Sequence, residues 1–455
     1  MPDAMEPHTC DLIIIGAGPG GYETAVTAAK KGMKVTIIEQ HKVGGTCLNE
    51  GCIPTKTFYR HAALLDDVRE AALYGIQTSA PTLDFAQVTA RKNEVVKTLQ
   101  TGVEALLQHK NIQLVYGTAR FEDEHTVSVE GECYRAPHLI IATGSVTKFL
   151  PIEGLKEAGV LTSKEMLETD HVPPRLCIIG AGVIGMEFAS IFHSFGSKVT
   201  VIEYMKEILP AFDSDIAKRL KQTLTKKGIE IVNQGCIRSV KRQGEVFTVE
   251  YEHKKGLATL ETDKVLLATG RIAHTGSLNL DDVHIDFTPK GITVNEFMQT
   301  SVPHIYAIGD VNGLCMLAHA ATFQGLRALH HILGEKDGIR LDIMPAVVFT
   351  RPEVASVGLT EEQCKASGIK FTAKKAFYRA NGKAVSMNET EGLCKLLANE
   401  EGLIIGAHIM GAHASDLIQE ICALMNRQTT IAQLKEMIHP HPTLCEIIQT
   451  AAHEF

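Results

Sequence analysis

The chain has 455 residues and a formal charge of -8, which argues against a nucleic-acid or anionic-membrane surface as its main business. No stretch approaches about 18 uncharged apolar residues, and the start, Met1 to Cys10, has no basic region followed by an apolar one, so neither a membrane span nor a secretory signal is expected. Eleven cysteines, an odd number scattered over a chain long enough for several domains, fit a reducing compartment such as the cytoplasm better than a secreted disulfide framework.

Leu12-Ile13-Ile14-Ile15 is a continuous apolar run of the kind found in a buried parallel strand. It leads into Gly16-Ala17-Gly18-Pro19-Gly20-Gly21, a helical pattern to Lys31, and a second strand, Val35-Thr36-Ile37-Ile38, ending in Glu39. This is the order strand, G-x-G-x-x-G, helix, strand and acid. Gly16 makes the turn, Gly18 lets the backbone approach a pyrophosphate, and Gly21 lets helix pack on strand. The helix N-terminus faces the phosphates, and the acid accepts hydrogen bonds from a ribose.

Directly behind this unit lies Gly44-Gly45-Thr46-Cys47-Leu48-Asn49-Glu50-Gly51-Cys52-Ile53-Pro54-Thr55-Lys56. On an ideal helix, residues five apart have Cα atoms roughly 8.7 Å apart, whereas a disulfide needs them within about 7 Å. If Cys47 and Cys52 are to bond, the segment must bend or unwind; Gly44, Gly45, Asn49 and Gly51 supply the freedom, and Pro54 can restart a helix. Spacing alone leaves two unrelated thiols open as a reading. Zinc would want a second Cys/His pair, and His41 is the only further ligand type nearby, so no metal is expected.

The first pattern then recurs. Leu176-Cys177-Ile178-Ile179 leads into Gly180-Ala181-Gly182-Val183-Ile184-Gly185, a helix, and Val199-Thr200-Val201-Ile202-Glu203. Gly16 to Gly180 and Glu39 to Glu203 share one offset, 164 residues, and each copy is later closed by Ala-Thr-Gly, at 142–144 and 268–270. Two copies with acids at identical spacing are a far stronger signal than one. They most simply hold two dinucleotides: a redox-active flavin in the unit followed by the cysteines, and a nicotinamide in the second. Glu203 favours a free ribose 2′-hydroxyl, hence NAD over NADP, with Lys206 the only nearby counter-argument.

Near the C-terminus stands His439-Pro440-His441-Pro442-Thr443-Leu444-Cys445-Glu446. Thiol–disulfide exchange needs a thiolate. Histidine is the usual base near neutrality, and a carboxylate can fix its tautomer and stabilise its cation. A Pro-bounded turn with packing histidines is the ordinary alternative.

Together these motifs resemble the flavin-dependent pyridine nucleotide–disulfide oxidoreductases, from about Asp11 to about Ile448. The carriers are Gly16-to-Gly21, Gly44-to-Lys56, Gly180-to-Glu187, Ala268-to-Arg271, Ile305-to-Val311 and His441-to-Glu446. The resemblance implies an α/β fold with two Rossmann-like dinucleotide-binding domains plus a C-terminal α+β dimerisation domain. It implies FAD in the first unit, NAD in the second, and a homodimer whose C-terminal domain completes the partner's active site. Cys52 looks like the flavin-proximal sulfur and Cys47 like the one exchanging with substrate, with His441 and Glu446 as the acid–base pair; His439 does not match and is expected to pack or solvate in the turn. Lys56 resembles the lysine that pairs with the glutamate after the second fingerprint, here Glu187. Flavin-side matches are Gly16, Gly18, Gly21, Glu39, Thr46, Lys56, Gly117, Thr143, Gly144, Ser145, Asp310, Leu317, Ala318 and His319, with Asp310 on the ribityl chain. Gly180, Gly182, Gly185, Glu187, Glu203, Ile237 and Gly270 resemble nicotinamide-side positions.

Gly51-Cys52-Ile53-Pro54-Thr55-Lys56 reads like the family's lipoamide branch rather than its glutathione branch, which implies a lipoyl-bearing carrier protein of a 2-oxo acid dehydrogenase or glycine-cleavage system as partner. Some positions depart from the pattern. Glu50 stands where an apolar residue is usual and would disfavour a neighbouring thiolate. Cys445 replaces a serine, Arg271-Ile272-Ala273-His274 keeps the arginine but not the proline and asparagine, and Glu23 and Gln324 are unusual. The expected division is 1–150 for FAD and the disulfide, 151–272 for NAD, 273–342 as a return segment completing the flavin site, and 343–455 as the interface region. A glutathione- or mercury-type reductase, an NADH oxidase or transhydrogenase, and a catalytically silent structural flavoprotein are the rival readings.

Overall fold

The computed structural model describes residues 6–455. Leu12–Ile15 form a strand with all four side chains buried, the outcome expected of an apolar run covered on both faces. It lies at the centre of a five-stranded parallel sheet in the order Ile305–Ala307, His138–Ile141, Leu12–Ile15, Val35–Glu39, Ile112–Tyr116. The helix Pro19–Lys30 joins the third and fourth strands of that order, Leu12–Ile15 and Val35–Glu39, with Leu12 opposite Val35 and Ile15 opposite Ile38. A four-stranded sheet built from His8–Thr9, Glu132–Arg135, Thr126–Val129 and Arg120–Asp123 completes this region. Residues 6–57, 89–148 and 270–341 together make the first of two units into which the described residues divide.

The second unit takes residues 58–88, 149–269 and 342–455. Its four-stranded parallel sheet runs Glu230–Asn233, Lys198–Glu203, Arg175–Ile179, Lys264–Leu267, with the helix Val183–Phe195 following the second fingerprint. A three-stranded antiparallel sheet, Cys236–Gln243, Val246–His253 and Gly256–Thr262, adjoins it in sequence. The C-terminal region is a five-stranded antiparallel sheet in the order Ala346–Val348, Glu353–Gly358, Ile404–Gly411, Leu393–Asn399, Phe371–Phe377. Leu396, Ile409, Ile418, Ile421, Ile447 and Ile448 share one core, so the helices Ala414–Asn426 and Glu446–His453 are held on this sheet by apolar burial. Both nucleotide-fold sheets and the α+β C-terminal region agree with the expected α/β class. Among the described residues, no helix is long and apolar enough to cross a membrane.

Within the second unit, Lys395 is 1% exposed and donates to Asp213, Asp215 and Glu361 at 2.6–2.9 Å. Asp213 is fully buried and caps the helix Ser214–Lys227. Burial works to raise Asp215, but hydrogen bonds from Lys375 and Lys395 outweigh it and hold that carboxyl at about 2. A carboxyl depressed on folding stabilises above its ordinary pKa, near 3.9, and loses that contribution as pH falls toward the folded value. Removing one partner of a buried ion pair costs about 3–5 kcal/mol. Lys395→Met is therefore expected to lose roughly that amount in urea unfolding at neutral pH, with the gap from the wild type narrowing as pH falls toward about 2.

Candidate active site

The two fingerprints fold alike in detail. Gly16 and Gly180 both have positive φ, 107° and 103°. A Cβ on Gly16 would strike the carbonyl oxygen of Ala142, and one on Gly180 that of Ala268. The Ala-Thr-Gly segments noted in the sequence are thus the walls against which the turns close. Above Gly18 the nearest atom to an added Cβ would be Gly45 Cα at 3.8 Å, and above Gly182 nothing lies within 4 Å. The helices Pro19–Lys30 and Val183–Phe195 begin with no side-chain cap, so their first amides face unobstructed cradles suited to a pyrophosphate. Each acid is anchored by its own loop. Glu39 accepts from the amides of Ala17 and His41 at 2.8 Å, and Glu203 from those of Ala181 at 2.5 Å and Met205 at 2.7 Å. The carboxylates are pre-oriented, with lone pairs left for ribose hydroxyls.

The cysteine segment breaks where the spacing argument requires. A helix covers Gly45–Glu50, Gly51 leaves helical geometry at φ -140° and ψ -106°, and a new helix starts at Cys52 and runs to Glu70. Asn49 staples the first helix by donating to the carbonyls of Val43 and Gly45 at 3.0 and 2.9 Å. The Cys47 thiol is pushed strongly upward, first by its hydrogen bond to Cys52 and then by burial, with Lys56 opposing. The break thus brings the two sulfurs within hydrogen-bonding reach of each other. Thr46 lies in the first turn of the short helix, and Lys56 one turn beyond Cys52.

Asp310 sits on a 3-10 turn, Gly309–Asn312, where its Oδ2 accepts from Ser145 Oγ at 2.6 Å. Burial pushes its carboxyl up, and the Ser145 bond and Arg271 oppose that. Arg271 Nε donates to Ser145 Oγ at 2.7 Å and Nη2 to the Ser145 carbonyl at 2.6 Å. Thr143 Oγ1 donates to the His274 carbonyl at 2.7 Å, and His274 N donates to Gly144 O at 2.9 Å. The Thr143–Ser145 turn is therefore held by the strand Arg271–Ala273 pairing with Ser145–Thr147. Gly117 N donates to Glu39 O at 2.9 Å, and Leu317, Ala318 and His319 form the start of the helix Ala318–Ile332. All these positions belong to the first unit.

In the second unit, His441 Nδ1 and Glu446 Oε1 are 2.8 Å apart, and Glu446 Oε2 accepts from Thr443 N at 2.7 Å. The Thr443 amide and then His441 hold the Glu446 carboxyl below its ordinary range. With Nδ1–H donated to the carboxylate, Nε2 keeps the lone pair, on a side chain 77% exposed. His439 instead pairs with Glu420 at 2.8 Å and is nearly buried, a packing role as the sequence suggested. Cys445 lies 2.9 Å from Thr443 Oγ1. Glu187 is buried on the helix Val183–Phe195 and accepts from Phe349 N at 2.9 Å. Ile237 lies on the strand Cys236–Gln243 where the pairing register shifts, and Gly270 has φ 100° at the end of its Ala-Thr-Gly wall.

Residues 10–325 match the model of the pyridine nucleotide-disulphide oxidoreductase family, and residues 344–452 match that family's dimerisation domain. The chain belongs to the pyridine nucleotide–disulphide oxidoreductases. Among curated relatives, it is 39% identical to the dihydrolipoyl dehydrogenase of Geobacillus stearothermophilus, over 99% of this chain and 96% of that protein. It is 36% identical to the mitochondrial dihydrolipoyl dehydrogenase of Pisum sativum, over 97% and 90%. Among solved structures, the HOCl-induced flavoprotein disulfide reductase RclA from Escherichia coli superposes with a TM-score of 0.87 at 31% identity, over 97% of this chain and 99% of that one.

For a pyridine nucleotide–disulphide oxidoreductase, several contacts here were not read from sequence. Gln324 accepts from Gly309 N at 2.7 Å and Asn312 Nδ2 at 2.9 Å, bracing the turn that presents Asp310. Its oddness within the motif was visible, but not its partners. Nor did any sequence signal point to Arg271 as the anchor of Ser145.

Proposed function

We propose that this protein oxidises protein-bound dihydrolipoamide to lipoamide and reduces NAD, using FAD and a Cys47–Cys52 redox pair. The observation that carries this reading is the sulfur contact made by the break at Gly51, on the same unit as the first fingerprint. Likeness to dihydrolipoyl dehydrogenases over nearly the whole chain supports the substrate. The two cradles suit FAD at Gly16–Gly21 and NAD at Gly180–Gly185. When bound, the flavin supplies a two-electron acceptor and the nicotinamide carries hydride away.

In the oxidised enzyme, His441 Nε2 takes a proton from one substrate thiol, and Glu446 steadies the resulting imidazolium. The substrate thiolate attacks Cys47, the Cys47–Cys52 bond breaks, and Cys52 leaves as a thiolate. His441 returns its proton to Cys47 as the second substrate thiol displaces that sulfur and closes the substrate disulfide, and the imidazole then takes up the second thiol's proton and releases it to solvent. The raised proton affinity of the Cys47 thiol suits it to accept the returned proton. The match to a dimerisation domain supports a homodimer in which the dyad of one subunit serves the cysteines of the other. The domain assignment stays as read from sequence: 1–150 for FAD, 151–272 for NAD, 273–342 returning to the flavin site, 343–455 for the interface. The eleven cysteines, an odd number scattered along the chain, suit a reducing compartment such as the cytoplasm. A lipoyl carrier of a 2-oxo acid dehydrogenase or glycine-cleavage system is the proposed partner.

A second reading, a flavoprotein disulfide reductase acting on another substrate, is favoured by the likeness to RclA. Stopped-flow mixing with dihydrolipoamide and then NAD separates the two, since rapid reduction followed by rapid NADH formation is expected only of the first. Glu203, fixed by two amides, would repel a 2′-phosphate. Glu203→Ala is expected to raise KM for NAD about tenfold, the loss of roughly one charge-assisted hydrogen bond, and to narrow the preference over NADP in steady-state assays.

A further inference from the structure

Glu50 is a poor neighbour for a thiolate. It ends the helix Gly45–Glu50 two residues before Cys52, and a carboxylate there disfavours a second negative charge. The outcome depends on which cations share the space. Lys56 is one, following Cys52 by a helical turn, with its charge bearing on Cys47. Tyr22 also feels Cys47, and it is bonded to Glu23, so a further acid lies on that side.

The other cation arrives from more than 200 residues away. Arg271 is half-buried on the strand that pairs with Ser145–Thr147, and Ser145 clamps it at both Nε and Nη2. Ser145 also donates to Asp310, so the hydroxyl stands between the guanidinium and that carboxylate. Thus fixed, the guanidinium lies within electrostatic reach of Asp310, Glu50 and Cys52. Arginine keeps its charge throughout the working pH range. A clamped, partly desolvated guanidinium also loses little of its field to water or to rotamer averaging.

We infer that Arg271 is a positioning residue for the disulfide chemistry: held by Ser145, its fixed positive charge offsets Glu50 and keeps Cys52 as a thiolate once the disulfide is reduced. This inference rests on the cysteine roles proposed above. Only an S–H bond is at stake, the proton passing to solvent. It also accounts for how an acid is tolerated between the two cysteines.

The test titrates dithiol-reduced holoenzyme from about pH 4 to about 9 while following the long-wavelength absorbance of a thiolate beside the flavin. Arg271→Met is expected to raise the midpoint at which that absorbance is lost on acidification by about one pH unit, and Glu50→Gln to lower it by roughly half a unit. The double variant should fall between them, and Arg271→Lys, which keeps the charge but not the clamp, between wild type and Arg271→Met. A purely structural role for Arg271 would leave the midpoint unmoved. Should Arg271→Met fail to retain flavin, Glu50→Gln and Arg271→Lys carry the test. An unmoved midpoint in both overturns the inference while the cysteine assignment stands; a wild-type enzyme without the absorbance overturns that assignment and the inference with it.

Discussion

Serine in place of Cys52 is expected to abolish the long-wavelength thiolate absorbance of the reduced enzyme and to lower dihydrolipoamide turnover by at least about a thousandfold. The reason is chemical rather than steric. A hydroxyl fills nearly the same volume beside Gly51 but forms neither a disulfide nor a thiolate near neutral pH. The variant should therefore fold and retain flavin, which its visible spectrum reports. Cys47→Ser should separate the two sulfurs' roles: turnover is lost equally, but the Cys52 thiolate and its absorbance remain, because the sulfur lost is the one proposed to exchange with substrate. An undiminished band in Cys52→Ser would contradict the assignment of that sulfur as flavin-proximal.

His441→Gln should lower kcat by about a hundredfold to ten-thousandfold, the usual range for loss of a positioned general base. Glu446→Gln should cost less, because the imidazole remains and Thr443 N can still bond the amide oxygen. Its effect is instead a change of pH profile. The Glu446 carboxyl, held below its ordinary range, is ionised throughout the working range and stabilises the imidazolium. Removing that charge makes the base harder to protonate, so the acid limb of kcat moves to lower pH. A mixing experiment isolates the subunit question. Cys47→Ser and His441→Gln homodimers are each inactive, but after random exchange about a quarter of wild-type activity should return if the dyad serves the partner's cysteines. No recovery, with exchange demonstrated, would mean that each subunit completes its own site.

What could be read in sequence was local or periodic. The repeat at constant offset identified both turns because glycine at positive φ and an acid at a strand end are requirements of short segments. That the cysteine segment must bend if its sulfurs are to meet followed from the geometry of two cysteines five apart, but the choice of Gly51 among its flexible residues did not. His441 and Glu446 lie close enough in sequence for one turn to join them. Contacts between distant segments were illegible: nothing in Arg271 or Glu50 singly announces that they share a field, since Ser145 fixes the guanidinium through a strand pairing across more than a hundred residues. The buried Lys395 likewise reads as an ordinary strand charge until Asp213 and Glu361 converge on it. The anchoring amides of Ala17 and Ala181 were invisible for another reason, since a backbone group carries no residue-type signature.

The five-stranded sheet of the first unit takes its last member, Ile305–Ala307, from far downstream of its neighbour His138–Ile141. On the ribosome, at roughly 5–20 residues per second, that gap amounts to roughly ten to thirty seconds during which the nascent chain presents an unpaired strand edge. Asp310 follows only a few residues later, so the turn proposed to hold the ribityl chain emerges at almost the same moment as the strand that seals the sheet. Cofactor capture is therefore a late event of biosynthesis, and cells short of flavin should accumulate chains that are long enough to fold yet still open at that edge.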